Sequence, residues 1–313
     1  MRKRLVAGID LGGTKIATLI TDLEGNRLAR VQIPTEARNG PKSVLARMAD
    51  SVYLAMDEGG LDRSCLEAVG IGSPGPLDST KGIVLDVGNL GWKNVAVTQH
   101  MRDYFHLPVI LENDANCAAY AEYVFGAGAG YDNMIYVTVS TGIGCGIITG
   151  GRVYRGSRDF AGEFGHICLE PGGRHCLCGN NGCLEAYASG TGIAAMMSEA
   201  AGIPMDSQAA VEAARSGDSR ALGVLREAGE RLGHGLSILV QLFDPGAIVL
   251  GGGVMNAFSL FEADTRRVLS EHIYRNLEGG AVICRAKLEG DAGCVGAARL
   301  AAELINNCTP LSF

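Results

Sequence analysis

Between Glu163 and Glu185 the chain collects metal donors: Gly165-His166-Ile167-Cys168, seven further residues, then Cys176-Leu177-Cys178-Gly179-Asn180-Asn181-Gly182-Cys183-Leu184-Glu185. Thiolates and imidazole are the donors a tetrahedral zinc prefers, and a Cys3His set is closed, with no position left for an activated water. Zinc held by His166, Cys176, Cys178 and Cys183 is therefore expected to shape a loop rather than to do chemistry. A one-residue gap between Cys176 and Cys178 is tight for a zinc knuckle, so Cys168 or His175 stands as an alternative fourth ligand, and free thiols in a glycine-rich loop are the plainer reading. If His166 ligates, its second ring nitrogen is left for a substrate or a supporting partner.

A second chemistry is written in glycine. Gly12, Gly13 and Thr14, with Lys15 behind them, form one small-residue turn, and Thr141, Gly142, Ile143 and Gly144 form another. Such turns can present consecutive backbone N–H groups to a phosphate, because glycine permits close approach. Neither has the Gly-Lys-Ser/Thr ending of a P-loop, and both join strand to strand, so the usual P-loop and dinucleotide readings fail. Each alone is more often only a turn; two in equivalent halves, facing each other, would clamp a polyphosphate. Asp10, just before the first turn, can hold Mg²⁺ directly or through water, or serve only local hydrogen bonding.

The elements that must carry these groups alternate between β-rich runs and helical stretches, which predicts an α/β protein with mainly parallel central strands. Residues 5–10, 16–22 and 28–33 read as strands, and 42–57 as a helix whose Val44, Met48, Val52 and Met56 face the core. Strands near 67–71 and 108–112 flank a helix at 96–105, and Asn113-Asp114-Ala115-Asn116 opens another. Residues 134–150 repeat the opening plan, with Gly142 aligned on Gly12. Helices near 188–201, 218–243, 257–272 and 293–306, and a strand at 246–250 leading into Gly251-Gly252-Gly253, complete the chain.

With 313 residues, 47% hydrophobic and 19% charged, the chain is long enough for two packed lobes. Its formal charge of −7, from 27 Lys+Arg against 34 Asp+Glu, disfavours nucleic acid as a main partner. The start Arg2-Lys3-Arg4-Leu5 meets Asp10 too soon for a signal-peptide core, and no long apolar run predicts a membrane span. Ten cysteines without a secretory signal fit reduced thiols plus a metal site, and hence a cytoplasmic protein.

Asp10-Leu11-Gly12-Gly13-Thr14-Lys15, Glu112-Asn113-Asp114-Ala115-Asn116, Thr141-Gly142-Ile143-Gly144, Glu163-Phe164-Gly165-His166, Cys176 through Glu185, and Leu250-Gly251-Gly252-Gly253 together resemble the ROK family of bacterial sugar kinases and repressors. The match runs in order from about residue 5 to residue 300. It implies a two-lobed, actin-like or ribonuclease H-like ATPase fold with a structural zinc site, usually assembled as homodimers. The smaller lobe would comprise residues 1–116 plus about 297–313, and the larger 117–296 with the zinc segment 163–185. Asn89-Leu90-Gly91-Trp92-Lys93-Asn94 looks most like the glucokinase branch.

What the resemblance implies is phosphoryl transfer from ATP-Mg²⁺ to the 6-hydroxyl of glucose, the first step of glucose use. Asp114 resembles the family's catalytic base, with helix capping as its bland alternative. Asn113, Glu163, His166 and Glu185 resemble the sugar-binding set, and Gly75 and Asn89 would line the same pocket. Asp10, the two glycine turns with Lys15, and Gly251, Gly252 and Gly253 would meet the nucleotide, although a plain strand-to-helix turn also explains the last three. Trp92 serves equally as packing anchor or sugar-stacking face. Rival substrates are N-acetylmannosamine, N-acetylglucosamine, mannose and fructose, and polyphosphate is a rival donor. A sugar-responsive repressor would need a winged helix before the kinase-like part, where the first strand is expected already at Leu5. A catalytically dead sugar-binding scaffold is disfavoured by Asp10, Asp114 and both turns occurring together.

Overall fold

The computed structural model describes residues 3–308 apart from 278. It divides into two compact units, one of Met1–Gly126, Val153–Ala161 and Gly290–Phe313, the other of Ala127–Arg152 and Gly162–Glu289. The first unit runs past residue 116 to Gly126 because Asp114–Phe125 is one uninterrupted helix, and its last segment begins at Gly290 rather than near 297.

The first unit contains β1 (Leu5–Leu11), β2 (Lys15–Asp22), β3 (Arg27–Pro34), α1 (Pro41–Glu58), β4 (Leu66–Ser73), β5 (Leu77–Asp78), β6 (Ile83–Val87), β7 (Trp92–Ala96), α2 (Val97–Phe105), β8 (Val109–Asn113) and α3 (Asp114–Phe125). The second begins with β9 (Met134–Val139), β10 (Ile143–Thr149) and β11 (Arg152–Val153), whose last residue already belongs to the first. It continues with α4 (Glu185–Ala188), α5 (Gly190–Ala201), α6 (Ser207–Arg215), α7 (Ser219–Phe243), β12 (Ala247–Gly251), α8 (Glu262–His272) and β13 (Val282–Arg285). The chain then returns to the first unit as α9 (Ala292–Cys308).

The internal echo read from Gly12 and Gly142 extends to whole sheets. One sheet has the order β3-β2-β1-β4-β8 and the other β11-β10-β9-β12-β13. In the first, β3, β2 and β1 are antiparallel neighbours while β1, β4 and β8 are parallel. In the second, β9 pairs antiparallel with β10 and parallel with β12, which pairs parallel with β13. Each sheet therefore combines a hairpin with parallel crossovers, so the parallel strands form only part of it. The hairpin carries the glycine turn. The parallel strands end beside helix starts, where polar groups collect.

Strand β1 reads Leu-Val-Ala-Gly-Ile and is buried on both faces, as a covered central strand must be. One face packs on α1 through Val44, Met48, Val52 and Met56, all fully buried in a core that also takes Trp92. Trp92 is thus a packing anchor, 1% exposed, and no sugar-stacking face. The opposite face is small: Val6 and Ala68 meet Ala298, Ala301 and Ala302 of α9. Here the backbones nearly touch, because a Cβ at Gly70 would overlap the Ala297 carbonyl and one at Gly296 would overlap the carbonyl of Cys117. Replacing Gly70 with alanine should cost about 3 kcal/mol, at the upper end of overpacking effects, and lower the Tm by at least roughly 5 °C. An unchanged melting curve would show that α9 is not seated this tightly.

Local differences from the sequence expectations have plain causes. The stretch expected as one helix at 188–201 breaks at Ser189, whose backbone is extended and whose hydroxyl caps α5 by accepting from Gly192 N at 3.0 Å. The helix expected at 257–272 is a 3-10 segment, Gly253–Leu260, followed by α8, the two separated by the buried, non-helical Phe261. The meander β5-β6-β7 and α6 were not anticipated, since each is short and its apolar side chains pack on distant elements. Among the described residues no helix is long and apolar enough to cross a membrane.

Candidate active site

In the first unit, the polar groups gather where β1, β4 and β8 end. Asp10 is the penultimate residue of β1, and its carboxyl is pushed above the ordinary range by burial, opposed by the charge of Lys15. Gly293, in the first turn of α9, leaves room for it: a Cβ there would stand 2.8 Å from the Asp10 carboxyl carbon. The turn from Gly12 to Lys15 is closed by Gly12 N donating to Lys15 O at 2.9 Å, and Thr35 Oγ1 donates to Gly12 O at 2.7 Å. Thr14 and Lys15 are exposed. Asn89 comes to this turn, its amide 3.1 Å from where a Cβ on Gly13 would be, so the structure brings Asn89 to the glycine turn.

At the end of β8, Asn113 caps α3: its Oδ1 accepts from Ala115 N at 2.9 Å and Asn116 N at 3.2 Å. This settles which residue does the capping. Asp114, at the first helical position and half-buried, shares the bond from Ala115 N, accepting it at 2.8 Å. Gly75 faces Asn113, whose Nδ2 would lie 3.4 Å from a Cβ at that position. Burial, and then the negative field of Glu112, Asp10 and Asp114, drives the Cys117 thiol well above its ordinary range. Three acids thus converge on one end of the sheet.

In the second unit, Cys176 Sγ stands 3.7 Å from His166 Nδ1 and Cys178 Sγ 3.7 Å from Cys183 Sγ. The donor atoms of His166, Cys176, Cys178 and Cys183 all lie within 4.8 Å of one another. A tetrahedral zinc with Zn–S bonds of about 2.3 Å places its sulfurs about 3.8 Å apart. Cys168 and His175 are turned to Asn181 instead, at 3.4 and 3.3 Å. The other nitrogen of His166, Nε2, lies 3.8 Å from a Glu163 carboxylate oxygen.

Glu185 joins this cluster to the second glycine turn. Its Oε2 accepts from Ile143 N at 2.9 Å, and its Oε1 stands 4.0 Å from Cys176 Sγ. The Ile143 amide is therefore engaged and Gly144 lies within the β10 ladder opposite Thr138, which leaves Thr141 and Gly142 as the open part of the turn. Cys145, behind it, is buried and its thiol is pushed up to about 12, chiefly by desolvation, so it stays protonated and inert.

The same turn opens on a cavity of about 670 Å³ that also takes Thr191, Asp206, Gln208, Glu212, Arg215 and Asn256. Gly253 lines it, whereas Gly251 and Gly252 are required by packing: a Cβ on either would overlap Tyr136 or the Val139 carbonyl, and Gly252 has φ 91°. The cavity's polar residues on α6 carry no motif. The Asp206-Ser207 helix start, with Asp206 Oδ1 accepting from Ala209 N, was the signal available for them.

Each of the two sheets joins a hairpin with a glycine turn to parallel strands, and the Cys/His cluster lies between two acids in the sequence. Residues 6–304 match the model of the ROK family. The chain is 36% identical to a glucokinase of Streptomyces coelicolor, covering 96% of this chain and 98% of that one. Among solved structures it is similar to a ROK hexokinase from Thermus thermophilus, with a TM-score of 0.85 at 38% identity over 97% of this chain and 99% of that one. It is also similar to a ROK family glucokinase from Streptomyces griseus in complex with glucose and AMPPNP, with a TM-score of 0.80 at 37% identity over 96% and 99%. The chain belongs to the ROK family.

Proposed function

We propose that this protein transfers the γ-phosphoryl group of ATP to the 6-hydroxyl of glucose, the entry step of glucose use. The observation that carries this is the relative from Streptomyces griseus, 37% identical over 96% of the chain and crystallised with glucose and AMPPNP on the same fold. The actin-like, ribonuclease H-like ATPase architecture is consistent with the duplicated sheet plan.

In this reading Asn113, Glu163, His166 and Glu185 receive sugar hydroxyls, with Gly75 leaving space beside Asn113 and Asn89 near the first turn. Hydrogen bonds to charged groups contribute roughly 1.5–3 kcal/mol each. The carboxylate of Asp114 accepts the proton of the 6-hydroxyl as that oxygen bonds to the γ-phosphorus and ADP departs in line. Gly12, Gly13, Thr14 and Lys15 of one turn, and Thr141 and Gly142 of the other, would hold the phosphates. The 670 Å³ cavity with Gly253 is suited to adenosine. Mg²⁺, held by Asp10 directly or through water, would neutralise phosphate charge. Zinc on His166, Cys176, Cys178 and Cys183 would fix the loop that carries His166 and Glu185. The cysteines described are free thiols, which fits a cytoplasmic enzyme, and a homodimer is the expected assembly.

The test is ATP-Mg²⁺-dependent turnover across glucose, mannose, fructose, glucosamine, N-acetylglucosamine and N-acetylmannosamine. Glucose should lead in kcat/KM by tenfold or more, about 1.4 kcal/mol of transition-state preference. Another sugar in front would keep the mechanism and change the substrate; turnover of none would overturn the proposal.

A further inference from the structure

Glu112, the residue before the Asn113-Asp114 pair, has a side chain only 2% exposed, yet it is a carboxylate. Four donors fill its two oxygens. Oε1 accepts from Asn113 N at 3.0 Å and Asn116 Nδ2 at 2.9 Å, and Oε2 accepts from Arg155 Nε at 2.7 Å and stands 2.6 Å from Arg155 Nη2. A carboxylate has about four such sites, so this one is saturated. Asn116 in turn depends on it, since its Oδ1 is buried without a partner.

Arg155 comes from Val153–Ala161, the short stretch that belongs to the first unit although the chain on both sides of it belongs to the second. That stretch has its own fastening: Asp159 accepts from Ser79 N at 2.7 Å and from Ser79 Oγ at 3.0 Å. Arg155 is thereby delivered to Glu112 by a tether independent of the ion pair.

We propose that Arg155 is a positioning residue for phosphoryl transfer. Acting through Glu112, it fixes the Asn113 backbone and the Asn116 side chain, the points on either side of Asp114. The role rests on Asp114 as the base. With Arg155 gone, Oε2 of a buried carboxylate has lost both its donors, and the side chain must turn toward water, releasing Asn113 N and Asn116 Nδ2. A displacement of the base by about 1 Å is enough to cost on the order of 100-fold in rate.

The experiment compares wild type, Arg155→Met and Arg155→Lys by kcat, by KM for glucose and for ATP, and by thermal melting. Arg155→Met should lower kcat by roughly 10- to 100-fold while KM for ATP stays within about twofold, because the cavity in the second unit is untouched. Arg155→Lys keeps the charge but replaces the fork by a single point donor, so its kcat should fall between the two. If the Met variant does not fold, the Lys variant decides: a threefold or larger loss of kcat with normal KM for ATP supports the role, and wild-type kcat overturns it. Equal kcat in all three, or Met and Lys variants that melt early but turn over normally once folded, also overturns it. A wild type inert on every hexose would defeat the proposed function and this role with it. An active wild type with an indifferent Arg155 would defeat this role alone.

Discussion

Replacing Asp114 with asparagine should lower kcat by about 10³-fold, within the 10²–10⁴ range that a positioned general base contributes, while leaving the protein folded. The structure makes this substitution informative. Asn113, not Asp114, caps α3, with its side chain on Ala115 N and Asn116 N. An asparagine at 114 can still accept from Ala115 N, as Asp114 does now at 2.8 Å. What is removed is a negative charge in the first turn of a helix, worth about 0.3–1 kcal/mol, and the capacity to take a proton. A Tm within a few degrees of wild type together with that loss of kcat would therefore isolate proton acceptance. A kcat within tenfold of wild type would remove Asp114 from the proposed mechanism whatever the sugar.

Loss of the proposed zinc should have the next largest effect. Cys183 is fully buried, and a Cys183→Ser variant should lose stoichiometric zinc and at least 100-fold in kcat/KM for glucose, with a lower Tm. Structural zinc contributes about 10–16 kcal/mol of apparent binding free energy in small metal domains, comparable to the whole stability of a typical domain. The local route is short. The segment that carries three thiols ends at Glu185, whose carboxylate holds Ile143 N beside the second glycine turn, so releasing the segment frees a sugar-binding candidate and loosens the proposed phosphate turn together. Cys168→Ser is the control. Its thiol donates to the Asn181 carbonyl at 3.4 Å, outside the four-donor cluster, and zinc content and turnover should stay at wild-type levels. A metal-free enzyme with normal kinetics would refute the supporting role of the cluster.

Much of the fold was legible because its signals are local. The buried run of β1, the four-residue spacing of Val44, Met48, Val52 and Met56 in α1, and the glycine turns after β1 and β9 all appear where the periodicities place them. The meander that buries Trp92 was not legible, because strands of two to five residues are specified by the surface they cover rather than by their own pattern. In the site, Asn113 and Asp114 could be named from their order but not told apart as cap and candidate base; that difference lies in which oxygen reaches Ala115 N and Asn116 N.

The sequence by itself determined the family, the duplicated hairpin plan, the residue types of a Cys3His cluster and two glycine turns with acids close by in the chain, because these rest on identity and short spacing. Only the tertiary structure decided that His166, rather than Cys168 or His175, completes the cluster. It also decided that Glu185 is bonded to the second turn, that Gly251 and Gly252 serve packing while Gly253 faces the cavity, and that Arg155 neutralises Glu112. These pairings span tens of residues. They follow from how strands and helices pack, and spacing along the chain carries no record of which distant donor will reach a buried acceptor.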